Sequence, residues 1–304
     1  MRGEEIVVLA YLLFVIVILG LPQVIADGDN DNLTTTVTVQ DEAPTVGTIT
    51  CNPSPFTPSA ETTSVLNCTA TVTDTNGYQD IGGLRAEFYN DSRGSSANYT
   101  KHYNNASCLF TNNGTTSTTS DVECTFVIYY HANPADWTIY FNASDADGSV
   151  ASGNSTNTVT VSQLTALNVT NTTIAFGTVN LGATSSEVTT TIKNTGNVDI
   201  DLRINESLYG GQMACDGVGS ANLTTDAVST GVRYNTTTGF TFADTTWKLT
   251  DSNDLIDVNW TKSYTGTGTP TPSENNLYWL IKLPSTGLSG TCTTTTRISA
   301  ATST

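Results

Sequence analysis

The sequence predicts an all-β protein, built as two tandem Ig-like antiparallel β-sandwiches after an N-terminal signal segment. Three observations carry this. Apolar and polar residues alternate with period two in runs that recur about every 8–15 residues. Clusters of Gly, Asn, Asp and Thr separate the runs, as turns require. No helical periodicity follows the first apolar stretch. The composition agrees, with 58 Thr and 26 Ser among 304 residues.

The first element, Ile6 to Leu21, is an unbroken apolar run. It is short for a bilayer span of about 20 residues and suits the h-region of a secretory signal. Val24-Ile25-Ala26 supplies the small residues that a signal peptidase reads. We read 1–26 as a signal peptide removed after Ala26. Retention as an anchor, or cleavage near Gly3, is the alternative, and retention is the only route by which the chain would touch a membrane.

Residues 27–43 form an acidic segment, Asp27-Gly28-Asp29-Asn30-Asp31-Asn32, followed by a Thr-rich strand, Leu33–Gln40. That strand echoes Ser155–Ser162, the closing strand of the first sandwich, with Thr34-Thr35-Thr36-Val37-Thr38-Val39 set against Thr156-Asn157-Thr158-Val159-Thr160-Val161. Two readings stand: strand A of the first sandwich, or a free strand that adds to the open edge of another molecule.

Residues 44–163 are expected to hold about seven strands, the first sandwich. Leu66, Cys68, Ala70 and Val72 share one face. So do Val122, Cys124, Phe126, Ile128 and Tyr130, and again Trp137, Ile139, Phe141 and Ala143. Residues 164–304 give the second sandwich. Strands are predicted at Ile174–Gly177, Val179–Gly182, Glu187–Asn194 and Val198–Asn205. The last two are read as a β-hairpin across Asn194-Thr195-Gly196-Asn197. Later strands fall at Ile256–Trp260, Leu277–Leu283 and Cys292–Ser299. Trp137, Trp247, Trp260 and Trp279 are read as core residues.

The six cysteines, Cys51, Cys68, Cys108, Cys124, Cys215 and Cys292, suggest disulfides in an exported chain. Six allow about 15 connectivities. Cys51–Cys68, Cys108–Cys124 and Cys215–Cys292 are favoured because two bridges stay local and the third stays within the second sandwich. Fourteen Asn-x-Ser/Thr sequons occur, at Asn32, Asn67, Asn90, Asn98, Asn105, Asn113, Asn142, Asn154, Asn168, Asn171, Asn205, Asn222, Asn235 and Asn259. The Asn, Ser and Thr content alone would give roughly 7 or 8, so about half exceed chance. All but Asn32 and Asn171 are carried as glycosylation sites.

Asp74, Asn76 and Asp80 sit in one predicted turn, and Asp145 and Asp147 in another. If both turns lie at one end of the sandwich, five oxygen ligands converge, and Ca²⁺ wants six to eight. A structural calcium is the only cofactor expected. The bland reading is that Asp and Asn are good turn residues. An EF-hand fails, because position 12 counted from Asp74 is Arg85.

The remaining motifs exclude more than they add. With 11 Lys+Arg against 28 Asp+Glu and a net charge of −17, phosphate-backbone binding is excluded and no nucleic acid is expected. The two histidines, His102 and His131, sit in no nucleophile pattern, and no GxSxG elbow occurs. No catalytic residue is assigned, and the chain is not expected to be an enzyme. Leu283-Pro284-Ser285-Thr286-Gly287 matches a sortase signal but lacks the apolar segment and basic tail that should follow it. It is read as a link between strands.

Asp74-Thr75-Asn76-Gly77-Tyr78-Gln79-Asp80-Ile81, with Phe88-Tyr89, resembles Ig-like or PKD-like domains of archaeal cell-surface proteins. So does Ala135-Asp136-Trp137-Thr138-Ile139 with Asp145-Ala146-Asp147-Gly148. Asn194-Thr195-Gly196-Asn197-Val198-Asp199-Ile200 and Tyr278–Pro284 with Gly290-Thr291-Cys292 resemble a companion sandwich of secreted archaeal proteins. The resemblance implies fold and surface location, and no chemistry. In design the chain is also similar to archaeal threads and bundling pili, glycosylated β-sandwiches joined by a donated N-terminal strand. The functional expectation is an extracellular surface protein, structural or adhesive. Its partners would be further copies of itself or other surface proteins and glycans. In its sharper form it is a filament subunit assembled by strand donation. The alternative is a monomeric secreted binding module for glycans or another cell's surface.

Overall fold

The alternating runs become antiparallel sheet because each can bury one face and hydrogen-bond its backbone laterally. The structure, a computed structural model, describes residues 34–105, 108–112, 118–146, 153–242, 247–262 and 271–303. The signal segment, the acidic run 27–32 with the Asn32 sequon, Asn113 and Asp147 therefore lie outside the described residues. So do the side chains of Asn105 and Asn154.

In chain order the first half holds β1 (Thr45–Val46), β2 (Thr50–Asn52), β3 (Thr63–Thr73), β4 (Ile81–Tyr89), β5 (His102–Asn105), β6 (Leu109–Asn112), β7 (Thr119–Tyr129), β8 (Ala135–Asp145) and β9 (Gly153–Val161). One sheet runs β1-β3-β7-β6, with β2 also on β3, and the other runs β5-β4-β8-β9. They face each other across a core in which the three predicted inward sets are buried, from Leu66 to Ala143. At its centre Trp137 stacks on Phe88 with ring centroids 4.7 Å apart, and its Nε1 donates to Asn133 O at 2.9 Å. Such a side chain stabilises by about 3–5 kcal/mol relative to Ala.

The second half holds β10 (Leu167–Val169), β11 (Val188–Asn194), β12 (Ile200–Glu206), β13 (Gln212–Cys215), β14 (Leu223–Thr224), β15 (Gly231–Asn235), β16 (Trp247–Lys248), β17 (Asp254–Trp260), β18 (Ser273–Lys282), β19 (Cys292–Thr293) and β20 (Thr296–Thr302). The sheet β10-β11-β18-β15-β16 packs against β17-β12-β20 around Ile192, Leu202, Leu277 and Trp279, and β14-β13-β19 forms a small third sheet. Trp260 is also buried, and Trp247 is half-buried against Tyr234.

Two expectations are corrected here. The predicted hairpin does not form, because β11 and β12 belong to different sheets. The Asn194 side chain donates to Val198 O, Trp260 O and Thr261 O, and accepts from Gly196 N. It ties the end of β11 to the end of β17, so the chain crosses between sheets. Ile192 and Ile200 then face one core from opposite sides. Ile174–Gly177 and Val179–Gly182 are not strands either. Gly177 and Gly182 take positive φ, 69° and 78°, and break the extension. Ile174, Phe176 and Val179 still pack on the second core.

The crossing turn also joins the halves. Asn197, fully buried, donates to Ala132 O and Ser162 O and accepts from Leu164 N. A Cβ on Gly196 would stand 2.1 Å from Leu164 O, so only glycine permits this approach. Residues 34–40, taken by themselves, carry no strand, and Val37 and Val39 are 85 % and 74 % exposed.

Candidate functional site

Crossing between sheets brings the two acidic turns together. The β3–β4 corner carries Asp74, and a short 3-10 turn at Tyr78–Asp80 leads into β4. Asp145 ends β8 opposite Ile81, and Ala146 N donates to Asp80 O at 2.6 Å. A Cβ on Gly82 would lie 2.3 Å from Ala146 Cα, so glycine is what lets these backbones close.

Asp74 is 1 % exposed and Asp145 4 %. Asp74 Oδ1 accepts from Asn76 N at 2.8 Å, which leaves its Oδ2 and both Asp145 oxygens without a hydrogen-bond donor. Burial first, then the Asp74 carboxyl it faces and the charges of Asp41 and Asp80, push the Asp145 carboxyl up to about 6.

Of the five expected ligands, Asp74, Asp80 and Asp145 are thus gathered at one end. Asn76 Oδ1 accepts from Glu42 N at 2.9 Å. Asp41 was not anticipated, since nothing in its local sequence links it to the distant Asp74 and Asp145. Among the described residues, no three His, Cys, Asp or Glu side chains are grouped so as to hold a metal ion directly.

The second half treats a buried carboxylate differently. Glu206 follows Ile200, Leu202 and Ile204 on the inward face and is 1 % exposed. Leu208 N, Tyr209 N and Gly211 N donate to it at 2.7, 2.8 and 2.8 Å, and Thr294 Oγ1 donates as well. Burial alone would raise its pKa, but the four donors outweigh burial and hold it below the usual carboxylate range. The period-two register could have identified this inward Glu. Arg233, equally buried, donates to Thr225 O, Val232 O, Ala227 O and Val228 O and lies over Phe242.

Between the sheets of this half lies a cavity of about 830 Å³, bounded by Val169, Ile174, Phe176, Met213, Trp279 and Ile298. Trp279 Nε1 and Thr190 Oγ1, both in its wall, are buried without hydrogen-bond partners.

Both histidines are buried. His102 is fully buried, 3.0 Å from Asp91 Oδ1 and 2.9 Å from Asn104 Oδ1. His131 is buried against Tyr129 and Tyr130 with neither ring nitrogen hydrogen-bonded. Burial, then the Lys262 charge, pushes its imidazole down to about 4.

The cysteines pair as Cys51–Cys68, Cys108–Cys124 and Cys215–Cys292, and none is free. Of the candidate glycosylation sites with described side chains, Asn222 and Asn259 are exposed. Asn67, Asn90, Asn98, Asn142, Asn168, Asn205 and Asn235 are half-buried. Asn168 Nδ2 donates to Glu61 Oε2, a contact that a glycan would replace. Leu283–Gly287 joins β18 to β19. Among the described residues, no helix is long and apolar enough to cross a membrane.

No protein family matches the sequence, and neither does any curated protein. Solved structures show only distant likeness. A secreted serine protease, VesC, from Vibrio cholerae is 11 % identical, with 81 % of this chain and 48 % of that one covered and a TM-score of 0.22. A putative membrane-anchored protein from Corynebacterium diphtheriae is 11 % identical, with 85 % and 54 % covered and a TM-score of 0.23. The chain spans about half the length of these two. The C-terminal domain of the antigen I/II-family protein AspA of Streptococcus pyogenes is 11 % identical, with 86 % and 99 % covered and a TM-score of 0.23. Likeness this slight places the chain with none of them.

Proposed function

We propose that this is an extracellular cell-surface protein with a structural or adhesive role, whose N-terminal segment assembles copies by strand donation. In this reading 1–26 directs export, and 44–163 and 164–304 are the two sandwich domains of one subunit. Export is supported by six cysteines that all pair and by the excess of sequons. The observation that carries assembly is residues 34–40. They have the composition of the closing strand β9, yet taken by themselves they carry no strand. An extended segment with one apolar face is suited to completing another sheet through backbone hydrogen bonds. β20 lies at a sheet edge, and so does β9, whose last residues are bridged by Phe56.

Electron microscopy of the natively glycosylated protein tests this, beside a form lacking residues 34–40. Fibres repeating at one subunit length, lost in the deletion, are expected. Dispersed monomers of the intact protein at high concentration overturn assembly.

The cavity favours a second reading, a binding module. Its apolar floor and Thr-rich rim suit a neutral, partly apolar ligand, such as a glycan substituent. That reading predicts glycan-array binding that survives the 34–40 deletion and is lost when Ile298→Trp fills the cavity.

A further inference from the structure

We propose that the β3–β4 corner and the end of β8 bind calcium, anchored by the Asp74 and Asp145 carboxylates. This stands apart from the assembly reading. The two side chains are more than nine-tenths buried, and among the described residues three of their four oxygens have no hydrogen-bond donor. Burying a carboxylate without a donor or counter-charge is costly, and burying two in contact costs more. Among the described residues, the charges that raise the Asp145 carboxyl are those of Asp41, Asp74 and Asp80, all negative. Elsewhere this chain shows that it can satisfy a buried carboxylate with its own donors, as at Glu206. At the Asp74–Asp145 corner it supplies a local field of one sign, which a cation completes.

The donor set selects the ion. Every available ligand is oxygen, which suits a hard cation and disfavours zinc or copper. Only two carboxylates meet directly, so backbone carbonyls and water must fill the remaining positions. Calcium, with six to eight ligands in loose geometry, accepts such a mixture, whereas magnesium demands a regular octahedron. The more distant Asp41 and Asp80 add attraction without coordination. Two direct carboxylates correspond to the weak extracellular class of site, with Kd on the order of 10⁻⁴–10⁻³ M.

The test uses the full chain, stripped with chelator and melted at pH 7.5 with calcium from zero to 10 mM and with magnesium in parallel. About 10 mM calcium should raise Tm by about 3 °C, and magnesium should raise it less. Asp145→Asn and Asp74→Asn should each abolish the shift while keeping the chelated near-ultraviolet dichroism of the parent. The exposed and remote Asp257→Asn should retain it. Isothermal titration should report one site in the parent and none in Asp145→Asn. If Asp145→Asn does not fold, Asp74→Asn decides. An unresponsive parent, or a shift that survives at both positions or is matched by magnesium, overturns the proposal.

Discussion

Glu206 in the second half and the Asp74–Asp145 pair in the first are both buried carboxylates where a strand gives way to a turn, and the chain treats them oppositely. Glu206 is closed by its own turn, with three backbone N–H groups and Thr294 converging on its two oxygens. It needs nothing from outside and holds the 207–211 turn and β19–β20 connection in place. Asp74 and Asp145 are brought together by the crossing of β3 into β4, receive one backbone donor between them, and face further negative charge. Burial therefore does not tell whether a carboxylate is a structural plug or an open site. The direction of the surrounding donors does.

The comparison can be broken in four ways. Removing the Cys215–Cys292 bridge as a Cys→Ala pair should have the largest effect. Its 77-residue closure contributes about 4 kcal/mol, and β19 leads directly into Thr294. Denaturant melts should show that loss, and amide exchange should rise at 208–211. An effect confined to β13 and β19 would uncouple the bridge from Glu206.

Glu206→Gln should cost about 3 kcal/mol by denaturant unfolding, because an amide N–H₂ would face backbone donors. A loss below about 1 kcal/mol would show that the turn holds itself.

His131 supplies the cationic counterpart, a buried imidazole without partners beside Lys262. Its folded pKa near 4 lies below the unfolded value of 6.5, so the unfolded chain takes up the proton first. The His131 contribution should be fully present above about pH 6.5 and fall by about 2–3 kcal/mol as pH drops toward 4, opposed in the parent by Asp145, whose raised carboxyl takes up its proton first in the folded chain. Subtracting the His131→Phe profile from that of the parent should isolate that slope between pH 6.5 and 5. Identical profiles for parent and variant in that window would place solvent at the ring.

The smallest effect should have the opposite sign. In chelator, Asp145→Asn should stabilise the chain by about 1 kcal/mol, because it removes a like charge from a donor-poor corner. Destabilisation like that of Glu206→Gln would make the two carboxylates equivalent.

What could be read in the sequence follows from locality. Leu66, Phe126, Trp137 and Leu202 lie inward because side chains alternate along any strand with one dry face. The same period, carried further along β12, puts Glu206 inside. The cysteine pairs were also accessible, since two of the three close loops of 17 and 16 residues between strands that pair directly. Sheet partnership was not. Asn194–Asn197 has the composition of a hairpin turn, but its side chains bond to acceptors such as Trp260 O and Thr261 O, more than 60 positions away, where the chain crosses to the other sheet.

The sequence by itself determined the all-β character, the inward faces and the supply of acidic turn residues, because each depends on neighbours within a few positions. The tertiary structure alone decided which turns meet. Asp145 reaches Asp74 because two sheets stack and β8 pairs with β4. That juxtaposition is set by packing and by glycines that permit close backbone approach, and no local pattern encodes it.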